Sequence, residues 1–530
     1  MGVRIPQGAP TFELHRTERR TLFALGALTL VLRIIATFRY RFDSDEPQHL
    51  HVAWGWTEGL VQYRDIFDNH APLFHMLSAP LLKLLGEREN ILIYMRAPMV
   101  LLFIVTVAAT WIIAKRWWSE RIAAWSLILL CAFAPFFLKT IEYRTDNLWT
   151  ALWMIALVVL TSSERPFVTG LILGVGMCVS LKTLLLLITL GVAAVVTAIA
   201  RDERIDAHDA TRTSFMMVVG FVIPPAIIAA YFVSIGAWHN LLFCVLRFNE
   251  LVTRTHRNVV WPRMLYPFVL AFVIWRARDL ARTSDTPRTR FYLGVCASIF
   301  TITVIGFWVL ISPRDFLPMM PLFAIALTAT IIRRAPRRSF AILTTLSIVL
   351  LGFTAYYAEW FRDGQREQTT MLHQALRLTH PGEPLMDYKG ETIYRRRPYY
   401  FIFEKIGRGA MRRGFLRDTV ADAMVHEHCY VAEADGAFWP PSARTFLNEN
   451  FLDMGRLRAA GQWIRNDGTF SIAIDGDYVI VDRNGVVSAP SHLLIGAHRF
   501  IAPRNERLAV LWAPAFERGF SPFHPKDREF

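Results

Sequence analysis

Charge is what this 530-residue chain has least of: Asp, Glu, Lys and Arg make up 19% of it, against 53% apolar residues. A soluble protein carries roughly 25% charge. A purely water-soluble, disordered or fibrous chain is therefore excluded, and several membrane spans are expected. Cysteine is equally thin. Of five, Cys131, Cys178 and Cys296 lie within apolar runs, Cys244 lies in an apolar stretch between spans, and Cys429 stands alone downstream. That spacing suggests no disulfide framework and no metal knuckle. No Walker sequence occurs, and Gly407 and Gly409 are too sparse for a nucleotide fingerprint, which weighs against an ATP-driven pump. Internal repeats and low-complexity segments are absent too.

What is present is basic charge in an apolar setting. The net charge is +14; residues 1–360 carry 35 Lys/Arg against 23 Asp/Glu, while residues 361–530 carry 23 against 21. Basic residues gathered between apolar spans are what the positive-inside rule produces, so no nucleic-acid partner is expected. The first apolar run, Thr21–Thr37, follows Arg19-Arg20 without a small-residue cleavage site and reads as an uncleaved anchor.

A helix needs about 20 apolar residues to cross the hydrocarbon core, somewhat fewer when its flanks snorkel. Expected spans are 21–39, 94–114, 122–138, 147–161, 167–181, 184–200, 214–233, 264–275, 291–311, 319–332 and 340–357, about eleven crossings. Ala71–Leu85 is ambiguous: it is short, with Pro72, His75, Pro80 and Lys83 inside it. If it does not cross, the later loops assigned to the cytoplasm hold 16 Lys/Arg and the later opposing loops hold 8. That bias favours a helix lying on the outer surface, with the N-terminus inside and the tail outside. The fold class expected is an all-α polytopic membrane region, 1–360, followed by a soluble α/β or α+β domain, 361–530. In that tail, Phe470–Ile474 and Tyr478–Asp482 read as a hairpin around Asp475-Gly476-Asp477, Arg507–Trp512 as a strand, and 411–428 as helix.

The outer loop 40–93 is where chemistry concentrates. It carries Arg41, Asp43, Asp45, Glu46, His49, His51, Glu58, Arg64, Asp65, Asp68, His70 and His75, interleaved with Trp54, Trp56, Leu60, Ile66, Phe67, Leu73 and Phe74. Such a segment is expected to fold onto the membrane as short amphipathic helices, with acids in a partly dry pocket serving as general-base candidates. His49 and His51 are two apart and would face different ways on a helix, which argues against joint chelation.

Asp45-Glu46 follows the first span. Then come Gly59-Leu60-Val61-Gln62-Tyr63-Arg64-Asp65 and Asn69-His70-Ala71-Pro72-Leu73, and later Arg144-Thr145-Asp146, Ser180-Leu181-Lys182-Thr183 and Pro313-Arg314-Asp315-Phe316-Leu317-Pro318. In order and placement these resemble the protein O-mannosyltransferase and aminoarabinose-lipid A transferase group, integral-membrane glycosyltransferases of the C type. His70-Ala71-Pro72-Leu73 departs from that group's Lys/His-Pro-Pro-Leu element at its first proline. The resemblance covers roughly 1–360 and implies a polyprenyl-phosphate sugar donor and an acceptor of unknown class, reacting among membrane lipids at the outer face. It implies Asp45 as catalytic base, Glu46 orienting the acceptor or a helix, and Lys182 and Arg314 against the lipid phosphate. Arg144 and Asp146 would shape the sugar pocket, and Tyr63, Asp65 and His70 would join the substrate-binding set. No cofactor is implied; a protein-bound metal is not indicated, although the acids leave a divalent cation open. A transporter or flippase would place acids inside its spans and show matched halves, neither of which occurs here. An inactive assembly subunit is the other alternative, opposed by the retained Asp45, Glu46 and Asp146. Arg395-Arg396-Arg397 beside Tyr399-Tyr400-Phe401 would suit sugar or lipid head groups, or an anionic membrane surface.

Overall fold

The computed structural model describes residues 14–525 apart from 164, 205, most of 256–285, 309, 310, 360, 435, 437 and 502–506. The expected short span 264–275 falls almost wholly outside the described residues. The N-terminal two thirds is helical: α1 (Arg16–Arg39), α2 (Asp45–Thr57), α3 (Leu73–Leu85), α4 (Ile91–Met95), α5 (Ala97–Trp117), α6 (Glu120–Ala132), α7 (Ala134–Lys139), α8 (Thr145–Ser163), α9 (Pro166–Met177), α10 (Thr183–Arg201) and α11 (Ala207–Ser234). Helices Arg288–Phe307, Met320–Arg334 and Ser339–Tyr357 follow.

Among the described residues, seven helices are long and apolar enough to cross a membrane: Arg16–Arg39, Ile91–Trp117, Thr145–Ser163, Thr183–Arg201, Ala207–Ser234, Arg288–Gly306 and Ser339–Tyr357. The other expected spans are shorter. Pro135 starts a new helix where 122–138 was to be continuous, leaving α6 at 13 residues and α7 at 6. Helix α9 has 12 residues and Met320–Arg334 has 15, so the count of eleven crossings is not reached by length. Helix α9 compensates by intimate packing. A Cβ on Gly170 would lie 2.0 Å from the Met217 carbonyl oxygen of α11, and one on Gly220 would lie 2.2 Å from the Phe167 oxygen. Only small residues let two backbones approach so closely, the usual glue between helices that gain little from burial in lipid.

The loop 40–93 folds as α2, α3 and α4, with Leu50, Ala53, Phe74 and Leu82 buried in the helical core. At 13 residues, α3 is too short to span a bilayer.

The C-terminal region is α+β. Strands β1 (Val431–Glu433), β2 (Phe451–Asp453), β3 (Leu457–Trp463), β4 (Thr469–Ile472), β5 (Gly476–Val481), β6 (Val486–Leu493), β7 (Gly496–Arg499) and β8 (Ala509–Trp512) pair antiparallel throughout. The larger sheet runs β1-β3-β8-β5-β6 with β2 also on β3, and β4 pairs with β7. The expected hairpin at Asp475-Gly476-Asp477 is therefore wrong: both segments are strands, but they belong to different sheets. The Tyr430 hydroxyl donates to the Asp475 carbonyl at 2.6 Å, and its ring occupies the space beside Gly476, so the chain passes straight through. The true turn is Asn484-Gly485, where the Asp482 amide donates to the Gly485 carbonyl at 2.9 Å and joins β5 to β6. Helix was expected over 411–428; Gly414, at φ 75°, instead separates Lys405–Arg412 from Val420–His426. The strand expected at Arg507–Trp512 is β8.

The segment 386–404 leaves this sheet region and lies on the first loop. Ile393 and Tyr394 join the core of the helical region, while Ile402 and Ile406 pack with Tyr63 and Phe67. Of the Arg395–Arg397 triplet, Arg395 bonds Glu87 at 2.8 Å and Arg397 bonds Asp387 at 2.9 Å, leaving only Arg396 exposed. The triplet stitches the chain together and does not form an open basic patch.

Candidate functional site

Helix starts place the charges. Asp45 is the first residue of α2, Asp146 lies in the first turn of α8, and the carboxylates complement the partial positive charge there. Arg144 immediately precedes α8. Lys182 caps the start of α10, a position the helix dipole disfavours. Arg314 sits in a single 3-10 turn, Pro313–Phe316, fixed by reciprocal capping: the Arg314 amide donates to Ser312 Oγ at 3.2 Å and the Ser312 amide donates to Asp315 Oδ2 at 2.7 Å.

These termini converge. Arg144 bonds Asp43 at 2.7 Å and Asp146 at 3.3 Å, and contacts Asp45 directly. Arg314 reaches Asp45 at 3.2 Å and Asp43 at 3.3 Å. Lys182 bridges Asp146 at 3.3 Å and Asp315 at 2.5 Å, which offsets its unfavourable place on α10. Lys139 completes the rim, 2.5 Å from Glu142 and 3.8 Å from Asp43. A fifth cation arrives from the C-terminal region: Lys389 Nζ donates to Asp45 Oδ1 at 2.6 Å and to Ser44 Oγ at 3.1 Å. Asp45 keeps 21% of its side chain exposed, enough for a reactant to reach it.

Burial alone would push the Asp45 carboxyl up. The cations of Arg144, Lys389 and Arg314 outweigh it and hold Asp45 well below the usual carboxylate range. Asp43 is lowered by the same contest between burial and Arg144. Glu142 goes the other way, pushed up to about 7 by burial and by Asp43. The arrangement is a cluster near helix starts in which Asp43, Asp45 and Asp146 are each shared between cations.

Glu46 is different. It is fully buried, and Arg96 grips it with two bonds of 2.9 and 2.6 Å; it also accepts the Asp43 and Tyr143 amides at 2.8 and 2.9 Å. Its oxygens are used up by Arg96 and the two amides, and no face is left for an acceptor. Tyr63, also buried, donates from its hydroxyl to the His70 carbonyl at 2.7 Å. His70 Nδ1 lies 2.8 Å from Asp68, whose charge raises the imidazole's pKa against the opposing effect of burial. Asp65 pairs with exposed Arg64 at 2.9 Å and accepts the Val61 amide at 2.8 Å; it lies outside the charge cluster. Five participants were absent from the expected site, and two of them, Lys139 and Glu142, lie within five residues of Arg144. Asp43 is signalled by three acids in the four residues Asp43–Glu46, and Asp315 by its place beside Arg314. Lys389 has no local signal at all. Among the described residues, no three His, Cys, Asp or Glu side chains are placed to hold one metal ion.

No family model and no curated protein matches the chain. Among solved structures it superposes on ArnT from Cupriavidus metallidurans in the apo state, with TM-score 0.55 and 14% identity over 84% of this chain and 98% of that one. The same protein bound to undecaprenyl phosphate gives TM-score 0.54 and 13% identity over 92% and 97%. The fold is that of the C-type membrane glycosyltransferases. The match extends over most of both chains, so the helical region and the C-terminal region share their arrangement with ArnT. Identity this low transfers no residue roles.

Proposed function

We propose that the protein transfers a sugar from a polyprenyl-phosphate donor to an acceptor hydroxyl at the outer face of the membrane, inverting the anomeric carbon. The observation that carries this reading is Asp45, the most exposed carboxylate of the cluster, held by Arg144, Arg314 and Lys389 where α2, the start of α8 and the Pro313–Phe316 turn meet. The shared fold with a protein whose structure contains undecaprenyl phosphate supports the donor class. Asp45 takes the proton of the acceptor hydroxyl. The hydroxyl oxygen bonds the anomeric carbon as the bond to phosphate breaks, and the electron pair leaves with the lipid phosphate. One displacement with one base gives inversion. Lys182 and Arg314 face the departing phosphate, and Arg144 with Asp146 shapes the sugar pocket.

The decisive experiment is incorporation of labelled sugar from lipid-linked donors by the purified chain, with the product identified. Absence of transfer from every polyprenyl-phosphate sugar would overturn the reading. Charge-assisted hydrogen bonds contribute about 1.5–3 kcal/mol each. Lys182→Met and Arg314→Met are therefore expected to raise the donor KM about 10- to 100-fold, and an unchanged KM would make them structural. Sidedness has its own test. Arg64 and Arg288 are half or more exposed, whereas Cys178, Cys244, Cys296 and Cys429 are buried. A cysteine at position 64 is expected to react with an impermeant thiol reagent from outside and one at 288 only after permeabilisation; the reverse pattern would invert the topology.

A further inference from the structure

Lys389 enters the site from the far end of the sequence, and the chain around it is built to hold it there. Asp387 accepts the Gly390 amide at 2.7 Å, the Thr392 amide at 2.8 Å and the Thr392 hydroxyl at 2.7 Å, and it pairs with Arg397 at 2.9 Å. That closes 387–392 into a tight loop. Gly390 has φ 96°, and a Cβ there would strike the His51 ring at 2.7 Å, so the loop lies flush on α2. His51 Nδ1 bonds the Ile393 carbonyl at 2.8 Å, and the Gln368 amide donates to the Glu391 carbonyl at 2.8 Å. The backbone is fixed on both sides, which confines any motion of Lys389 to its four-carbon stem.

Charge counting gives the reason for its presence. The helical region contributes Lys139, Arg144, Lys182 and Arg314 against Asp43, Asp45, Asp146 and Asp315, with Glu142 beside them. Lys389 supplies one further cation, and it is placed on Asp45, the one acid that has an acceptor to deprotonate. A carboxylate sharing both oxygens among three cations is a poor base. The donor phosphodiester carries one negative charge and the departing phosphate monoester carries two, so exactly when the base must act, one extra cation is needed at the phosphate.

We infer that Lys389 is a substrate-binding residue of the C-terminal region that cages Asp45 in the resting enzyme and turns to the lipid phosphate when donor binds. This rests on the donor class proposed above. The move uncovers Asp45 Oδ1 for the acceptor proton and places the released ammonium against the charge that develops on the leaving group. In the resting position Asp45, with Glu404 and Glu391, raises the pKa of the Lys389 ammonium against the opposing effect of burial.

The test uses the full chain in detergent and undecaprenyl phosphate as the probe. Lys389→Met is expected to weaken binding at least tenfold, and Lys389→Arg to stay within about threefold of wild type. Asp45→Asn frees the lysine in advance; it is expected to tighten binding in the wild-type background and to have no such effect in the Lys389→Met background. A lysine that merely latches the C-terminal region would lower the melting temperature and leave affinity unchanged in both backgrounds, which would overturn the inference. If Lys389→Met fails to fold, the Asp45→Asn arm still decides, since loosened or unchanged binding there overturns the cage. Wild-type chain that binds no undecaprenyl phosphate at all would overturn the donor class, and the lysine's role with it.

Discussion

Asp45→Asn is expected to yield a chain that folds, reaches the membrane and binds lipid phosphate, yet transfers sugar 10²- to 10⁴-fold more slowly, about the contribution of a positioned general base. The substitution keeps the shape of the side chain and its place at the first turn of α2, so the loss is chemical. The measurement is kcat with saturating donor beside a thermal melt. Full activity would remove Asp45 from the role of base. A second readout follows from its ionisation. Burial opposes the charge on Asp45, but Arg144, Lys389 and Arg314 win, and the carboxyl lies well below its ordinary value of about 3.8. Between that value and the depressed one, the folded chain binds fewer protons than the unfolded chain. Stability from Asp45 and Asp43 is therefore complete above the usual carboxylate range and is lost as the pH falls through the depressed values. The melting temperature is expected to show this loss only on strong acidification, and in Asp45→Asn the loss is expected to shrink.

Arg144, Asp146, Lys182 and Arg314 were picked out by the family resemblance, and the placement of the three cations among them also breaks a rule. On the expected topology, the four outer loops that follow the first one hold eight basic residues where the positive-inside rule favours few. Four of those eight, Lys139, Arg144, Lys182 and Arg314, meet Asp43, Asp45, Glu142, Asp146 and Asp315 in one cluster. A charge on the unfavourable side of a membrane needs a reason, and here the reason is a network. Lys389 was beyond reach: it lies 344 residues from Asp45, and an isolated lysine in a polar tail carries no pattern. The misplaced hairpin is instructive in another way. Asp-Gly and Asn-Gly both favour tight turns, and only the tertiary contact of Tyr430 with Asp475 and Gly476 decides that the first runs straight while the second turns. Local chemistry proposes such a turn, and packing selects it.

Glu46 and Arg96 form the pair whose breakage is expected to cost most in stability. Their side chains are wholly buried, and Arg96 also donates to the carbonyls of Tyr40 at 3.1 Å and Arg41 at 3.0 Å, so one guanidinium ties the end of α1 to the start of α2. Glu46→Ala strands a buried cation and two backbone amides; Arg96→Leu strands a buried carboxylate. Either change is expected to cost about 3–5 kcal/mol, because the buried charge left behind has no counter-ion. Replacing both by apolar residues removes the two desolvation penalties together. The double variant Glu46→Met/Arg96→Met is therefore expected to be more stable than either single change, though still short of wild type because the Asp43 and Tyr143 amides and the Tyr40 and Arg41 carbonyls lose their partner. Thermal melts of the four chains give the cycle. If Glu46 touched an acceptor instead, Glu46→Ala would reduce transfer without moving the melt, and the double variant would recover no stability. The burial of its carboxylate beneath Arg96 and two amides predicts the opposite: stability and activity fall together, because Asp45 is aimed by the very turn that Glu46 ties down.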